Sequence, residues 1–279
     1  MAYILYHGTC YDGFGAAWAY RRGLPPWPGI GVPPEEHYLP CTYGQPMPEV
    51  PDGQDVVIVD FSYPEEALRS LARRSRTVTL LDHHKTAQDD LRGLLARSEP
   101  NMEVVFDMNH SGAYLAWQHF VGGEIPQLIL YIEDRDLWKK EMPYHEQITA
   151  WIQSFERTFQ NFDTMEKVLE ESELGPLMEG SAILRFKTQK VSEICDQMRM
   201  RMVGGYNIPV VNCPYVFASE VANELLERWP EFPFAGYYFD RGDGMRQWGL
   251  RSKGFDCSAV AKSFGGGGHV RAAGFEEKL

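Results

Sequence analysis

Short apolar, β-favouring runs recur through the first half of the chain, and they stop abruptly at acids or imidazoles. Tyr3-Ile4-Leu5-Tyr6 gives way to His7. Asp55-Val56-Val57-Ile58-Val59 stops at Asp60, and Thr77-Val78-Thr79-Leu80-Leu81 stops at Asp82-His83-His84. Glu103-Val104-Val105-Phe106 is followed within a few residues by His110-Ser111. Nearly continuous apolar runs suit strands buried on both faces. Helical patterns lie between them: Phe14–Tyr20, rich in small residues; Pro64 to about Arg74, with Ser62 as the better cap; and Gly112–Phe120 behind Ser111. Strand alternating with helix predicts an α/β parallel sheet, with polar residues gathered at the carboxyl ends of its strands, where such sheets bind ligands.

Residues 24–53, rich in proline and glycine, predict an irregular excursion with a short strand near Glu36 to Leu39. Pro126 to Asp134 reads as a helix or helix-strand hybrid leading into the acidic knot Glu133-Asp134-Arg135-Asp136. From Ile148 to Met202 the pattern is helical, broken at Gly175-Pro176. A long helix is expected from about Gly180 to Met202, with Met198, Met200 and Met202 as a packing face. Beyond Gly204-Gly205 come a strand at Ile208–Asn212 and a helix at Ser219–Trp229. A hairpin over Arg241–Gly244 and a helix from Cys257 to Ser263 follow. The domains expected are a parallel-sheet domain over 1–150 carrying the strand-end acids and imidazoles, a helical connector over 151–203 and a smaller α/β domain over 204–279.

Composition narrows the class. At 279 residues and 44% hydrophobic, the chain is long enough for two globular domains. It has no apolar run of membrane-spanning length and no signal-peptide pattern at Tyr3–Tyr6. Five cysteines without a C-x-x-C pair predict reduced thiols in a cytoplasmic setting. The net charge of -12 argues against a broad footprint for long duplex DNA. A small anionic substrate stays open, since bound cations supply local positive charge.

The candidate chemistry follows from residue type. Asp82-His83-His84 at a strand end offers oxygen and nitrogen ligands on a rigid support. His7 and Asp12 read either as turn former and helix cap or as ligands. Asp60 reads as a ligand, because Ser62 is expected to do the capping. In Phe264-Gly265-Gly266-Gly267-Gly268-His269-Val270-Arg271, four glycines leave backbone N–H groups free to face an anion.

Asp82-His83-His84 together with GGGGHVRAAGF resembles the DHH phosphoesterase superfamily, with its associated C-terminal domain carrying a Gly-rich GGGGH motif. RecJ-type exonucleases, nanoRNases and cyclic-dinucleotide phosphodiesterases belong to it. The likeness covers nearly the whole chain: His7 to Asp12, Asp60, Asp82 to His84 and Asp134, then Arg251 and Gly265 to Gly274. It implies two Mn²⁺ ions, with Mg²⁺ as an alternative, bridged by Asp60. One ion would be held by His7, the other by Asp12, His83 and Asp134, and together they would activate a water for attack on phosphorus. Asp82 and His84 would orient the ligands or touch substrate. Arg251 and Gly265, Gly266, Gly267, Gly268 and His269 would hold the substrate's non-scissile phosphate.

The family's first motif presents two acids, and here the earlier is Cys10, either a thiolate ligand or a weakened site. Asp134 and Asp136 both remain candidates for one ligand position. The expected activity is hydrolysis of short oligonucleotides or dinucleotides. Polyphosphate or pyrophosphate hydrolysis and non-catalytic nucleotide binding are the alternatives. Oligomeric state and the choice among RNA, DNA and cyclic dinucleotides stay open.

Overall fold

The computed structural model describes residues 2–24, 34–97 and 99–279, so the middle of the predicted Pro-rich excursion lies outside the described residues. The chain forms two units, 1–183 and 184–279.

The first unit contains, in order, β1 (Ala2–His7), α1 (Tyr11–Arg22), β2 (Tyr38–Cys41), β3 (Asp55–Val59), α2 (Glu65–Arg74), β4 (Thr77–Asp82), α3 (Lys85–Asp90), α4 (Arg92–Ala96), β5 (Met102–Phe106), α5 (Gly112–Phe120), α6 (Gln127–Asp136), α7 (His145–Ile152) and α8 (Phe159–Glu171). Helix α9 (Leu174–Cys195) carries the chain across the unit boundary. Strand order is β2-β1-β3-β4-β5, and every pairing is parallel. The alternating side chains explain the apolar runs. Ile4, Val57, Val59 and Leu81 face a core shared with α1, α5, α6, α7 and α8. Leu5, Val56, Ile58, Val78 and Leu80 face a second core with α2 and α4. A sheet covered on both faces needs no polar alternation. The order reverses between β1 and β3, which makes the crevice beyond their carboxyl ends the place where such sheets bind ligands.

The second unit contains β6 (Arg199–Val203), β7 (Tyr206–Asn212), α10 (Ala218–Arg228), β8 (Ala235–Asp240), β9 (Met245–Arg251), α11 (Cys257–Ser263), β10 (Gly267–His269) and β11 (Ala272–Lys278). Its mixed sheet runs β10-β11-β9-β8-β7-β6. α9 and α10 pack on one apolar cluster and α11 on another.

Several expectations change. Residues 151–203 divide between the units. α8 buries Phe159, Phe162 and Met165 in the first core, whereas β6 joins the second sheet. Gly175-Pro176 sits in the first turn of α9, where proline's missing N–H has no helical partner to lose. Met200 and Met202 lie exposed on an edge strand, not on a helix face, because their spacing of two is a strand's period. Pro64, not Ser62, occupies the cap position of α2. α1 begins at Tyr11 with Cys10 as its cap, three residues earlier than expected. Helix α6 runs over Gln127–Asp136 with Pro126 as its cap, so the segment holds no strand.

Candidate metal centre

Asp60 follows β3 in a left-handed conformation, φ 55°, which aspartate tolerates better than most residues. Its N–H donates to the Leu81 carbonyl at 2.9 Å, so the neighbouring strand fixes the turn. Its side chain is buried, and its two oxygens face different groups. Oδ2 lies 3.6 Å from His7 Nδ1 and accepts from the Cys10 thiol at 3.2 Å. Oδ1 lies 3.0 Å from His83 Nε2. The same His83 nitrogen is 3.7 Å from Asp12 Oδ2 and 3.5 Å from Asp136 Oδ2. His84 joins Asp60 and His83 in a third, overlapping group.

The supporting contacts are as specific as the cluster. Asp12 rests on the amino end of α5, accepting from Gly112 N at 2.6 Å and Ala113 N at 2.9 Å. Those N–H groups have no helical partner, and the helix dipole favours a carboxylate there. Gly112 is required, because a Cβ there would lie 2.4 Å from the Cβ of Asp60. Asp82 is fully buried and engaged locally. Its Oδ1 accepts from His83 N at 2.7 Å, His84 N at 3.1 Å and His84 Nδ1 at 2.7 Å, and Oδ2 accepts from the Ser62 hydroxyl. With Nδ1 bound, His84 has only Nε2 left for other partners. Asp82 therefore shapes the two-histidine turn, and Ser62 braces Asp82.

The acidic knot on α6 divides into three roles. Glu133 accepts from Lys139 Nζ at 2.8 Å and from Ser111 N at 3.1 Å, bracing the start of α5. Asp134 is hydrogen-bonded to His145 and accepts from Glu141 N at 2.8 Å. Among the described residues Asp134 joins none of the donor clusters, whereas Asp136 does. The two candidates are two residues apart, and the turn of the helix aims only one of them at His83.

The electrostatics are those of a cluster with surplus negative charge. Burial, with Asp60 and Asp136 nearby, pushes Asp12 well above the usual carboxylate range. Burial and Asp60 also raise Asp136. For Asp60, burial is outweighed by hydrogen bonds from His7 and His83, which hold it below that range. Burial opposes charge on His83, but the bond to Asp60 and the fields of Asp12 and Asp136 prevail and bring it up to about 10. Burial and then Asp60 raise the Cys10 thiol well above normal. A bound cation relieves this pattern directly. The spacing fits as well: N, O and S ligands at about 2.0–2.3 Å from one ion lie about 3 to 3.7 Å from each other. The observed separations of 3.0, 3.2, 3.5, 3.6 and 3.7 Å match that range.

In the second unit, Arg251 ends β9, and its register partner Ala272 also pairs with His269. Arg251 and His269 thus stand level on either side of β11. The side chain of His269 lies outside the described part of the structure. The glycine run is more engaged than expected. Gly265, at φ 79°, donates to Lys262 O at 3.0 Å and Gly266 donates to Ala261 O at 2.9 Å, closing α11 with a Schellman cap. Gly267 and Gly268 belong to β10.

No family model matches the chain. It is 30% identical over 287 residues to an uncharacterised protein of Acanthamoeba polyphaga mimivirus, a match covering 97% of this chain but only 66% of that protein's length. Among solved structures, the DHH domain of a member of the s1p family of ribosomal proteins matches with a TM-score of 0.55 at 15% identity, over 100% of this chain and 82% of the other. A pGpG-specific phosphodiesterase from Vibrio cholerae matches with a TM-score of 0.47 at 11% identity, over 99% of this chain and 94% of the other. A parallel sheet ordered 2-1-3-4-5, with acids and imidazoles at its strand ends, defines an α/β protein with a carboxylate–imidazole centre. Its fold is that of the DHH domain it matches. Among the described residues, no helix is long and apolar enough to cross a membrane.

Proposed function

We propose that this chain is a metal-dependent phosphohydrolase that cleaves phosphodiester bonds in short oligonucleotides or dinucleotides. The observation that carries the reading is the Asp60 carboxylate, whose two oxygens face two separate donor groups. Two divalent ions bound there, Mn²⁺ in at least the oxygen-rich half, would supply an activated water and offset phosphate charge. His7, Cys10 and Asp60 would hold one; Asp12, Asp60, His83 and Asp136 would hold the other. Asp136 takes the position expected for Asp134. Asp82 orients His83 and His84, and the outer nitrogen of His84 is free to donate to a phosphate oxygen. Arg251 and the Gly265–His269 segment are assigned to the substrate's second phosphate, with Arg251 supplying a planar donor fork.

The test is hydrolysis by the full chain in Mn²⁺ with a chelator control. Substrates would be a 5′-phosphorylated dinucleotide, a longer oligonucleotide, a cyclic dinucleotide, polyphosphate and pyrophosphate. Mononucleotide release that is fastest on the shortest chain, and lost in a folded D60A variant, is the expected result. Phosphate release from polyphosphate alone, or full activity in D60A, would overturn the reading.

A further inference from the structure

We infer that the two halves of this centre take different ions: a soft divalent ion of the zinc class at His7, Cys10 and Asp60 Oδ2, and a hard one of the manganese class at Asp60 Oδ1, Asp12, His83 and Asp136. This deepens the metal centre proposed above and rests on it.

The first half is a triangle of one sulfur, one nitrogen and one oxygen. Cys10 Sγ lies 3.3 Å from His7 Nδ1 and 3.2 Å from Asp60 Oδ2, and the third edge is 3.6 Å. Three protein ligands with S, N and O donors, leaving a fourth position open, suit catalytic zinc. Thiolate favours zinc over manganese, which prefers oxygen. The supporting contacts agree. His7 Nε2 is hydrogen-bonded to the Thr9 hydroxyl at 2.9 Å, which leaves Nδ1 facing the triangle. Gly13 N–H donates to Cys10 Sγ at 3.2 Å, a backbone bond that stabilises charge on sulfur. In the second half, Asp60 Oδ1, Asp136 Oδ2 and Asp12 Oδ2 lie 3.0, 3.5 and 3.7 Å from His83 Nε2, three carboxylate oxygens around one imidazole and no sulfur. Asp60 alone serves both, one oxygen to each. When the first half loads, a sulfur–metal bond forms and the Cys10 thiol proton passes to solvent.

The test is a Co²⁺ titration of the metal-free full chain followed by electronic absorption. A sulfur-to-cobalt charge-transfer band in the near ultraviolet is expected; it should persist under excess Mn²⁺ and disappear with one equivalent of Zn²⁺. C10S keeps an oxygen able to cap α1 and is expected to retain the wild-type melting profile and the second ion while losing the band. After dialysis against equal Zn²⁺ and Mn²⁺, elemental analysis should find both metals in the wild type and manganese alone in C10D. No band at saturating Co²⁺, an unchanged band in C10S, or manganese alone in the wild type would overturn the inference. The readout needs no substrate. An inactive chain with the band retires the hydrolase reading and keeps this one, and an active chain without the band does the reverse.

Discussion

Oδ2 of Asp12 accepts a 2.6 Å hydrogen bond from the N–H of Gly112, and a Cβ on that glycine would lie 2.4 Å from the Cβ of Asp60. One backbone position thus holds one acid and leaves room for another. G112A must push Asp60 or the start of α5 aside. Overpacking of this kind costs about 1–3 kcal/mol. The expected result is a lower melting temperature together with weaker Mn²⁺ binding, read by thermal unfolding and calorimetry. A variant that binds Mn²⁺ as the wild type does would show that the two acids are not packed as described.

Asp134 and Asp136 give opposite variants. D136N removes the charge of a carboxylate whose oxygen lies 3.5 Å from His83 Nε2 and should lower kcat/KM by about a hundredfold with little change in stability. D134N weakens the buried hydrogen bond to His145 and the one from Glu141 N, and should cost about 1–3 kcal/mol of stability. Denaturant melts alongside kinetics separate the two. The reverse pattern would return the ligand role to Asp134.

Proton and metal compete at His83. In the metal-free protein its pKa, raised to about 10 from 6.5, contributes stability that is fully present below pH 6.5 and is lost as pH rises through 10. A metal ion needs the neutral imidazole, so the sign for binding is opposite: Mn²⁺ affinity should climb by about tenfold per pH unit between pH 6.5 and 9 for one displaced proton. Calorimetry in buffers of different ionisation enthalpy counts that proton. Affinity independent of pH would contradict the picture.

R251A tests the second unit. The Arg251 guanidinium makes a 3.0 Å bond to its neighbour's carbonyl and lies 5.9 Å from the Tyr237 ring, so its loss disturbs little packing. KM for substrates bearing a terminal phosphate should rise about tenfold, while kcat stays close to wild type. An equal rise for substrates without that phosphate would remove Arg251 from the anchoring role.

The strands and the residues ending them were legible in the sequence because burial on both sheet faces leaves uninterrupted apolar runs, and Asp60 and Asp82 interrupt them. Asp136 was visible only as an alternative to Asp134, since two acids on one helix differ in direction, not in pattern. Ser62 looked like a cap because serine two residues before Pro64 fits that pattern, yet its hydroxyl serves Asp82 across the strand ends. Nothing in the chain's periodicity pointed to the N–H groups of Gly112 and Ala113 as the partners of Asp12, one hundred residues earlier. The glycine run looked open, but the Schellman cap and the β10 pairing engage it, and both depend on partners at Ala261 and Gly274.

The seating of Asp12 on α5 also bears on ion size. A carboxylate held by two backbone donors cannot retreat without uncapping its helix, and the left-handed turn at Asp60 is equally fixed by β4. The walls of the cup are therefore anchored to secondary structure on both sides. Calcium demands about 2.3–2.6 Å and six to eight oxygens, which asks such a cup to dilate. With metal bound as proposed, a smaller divalent ion would need less dilation of these anchored walls, and the site would favour it over calcium.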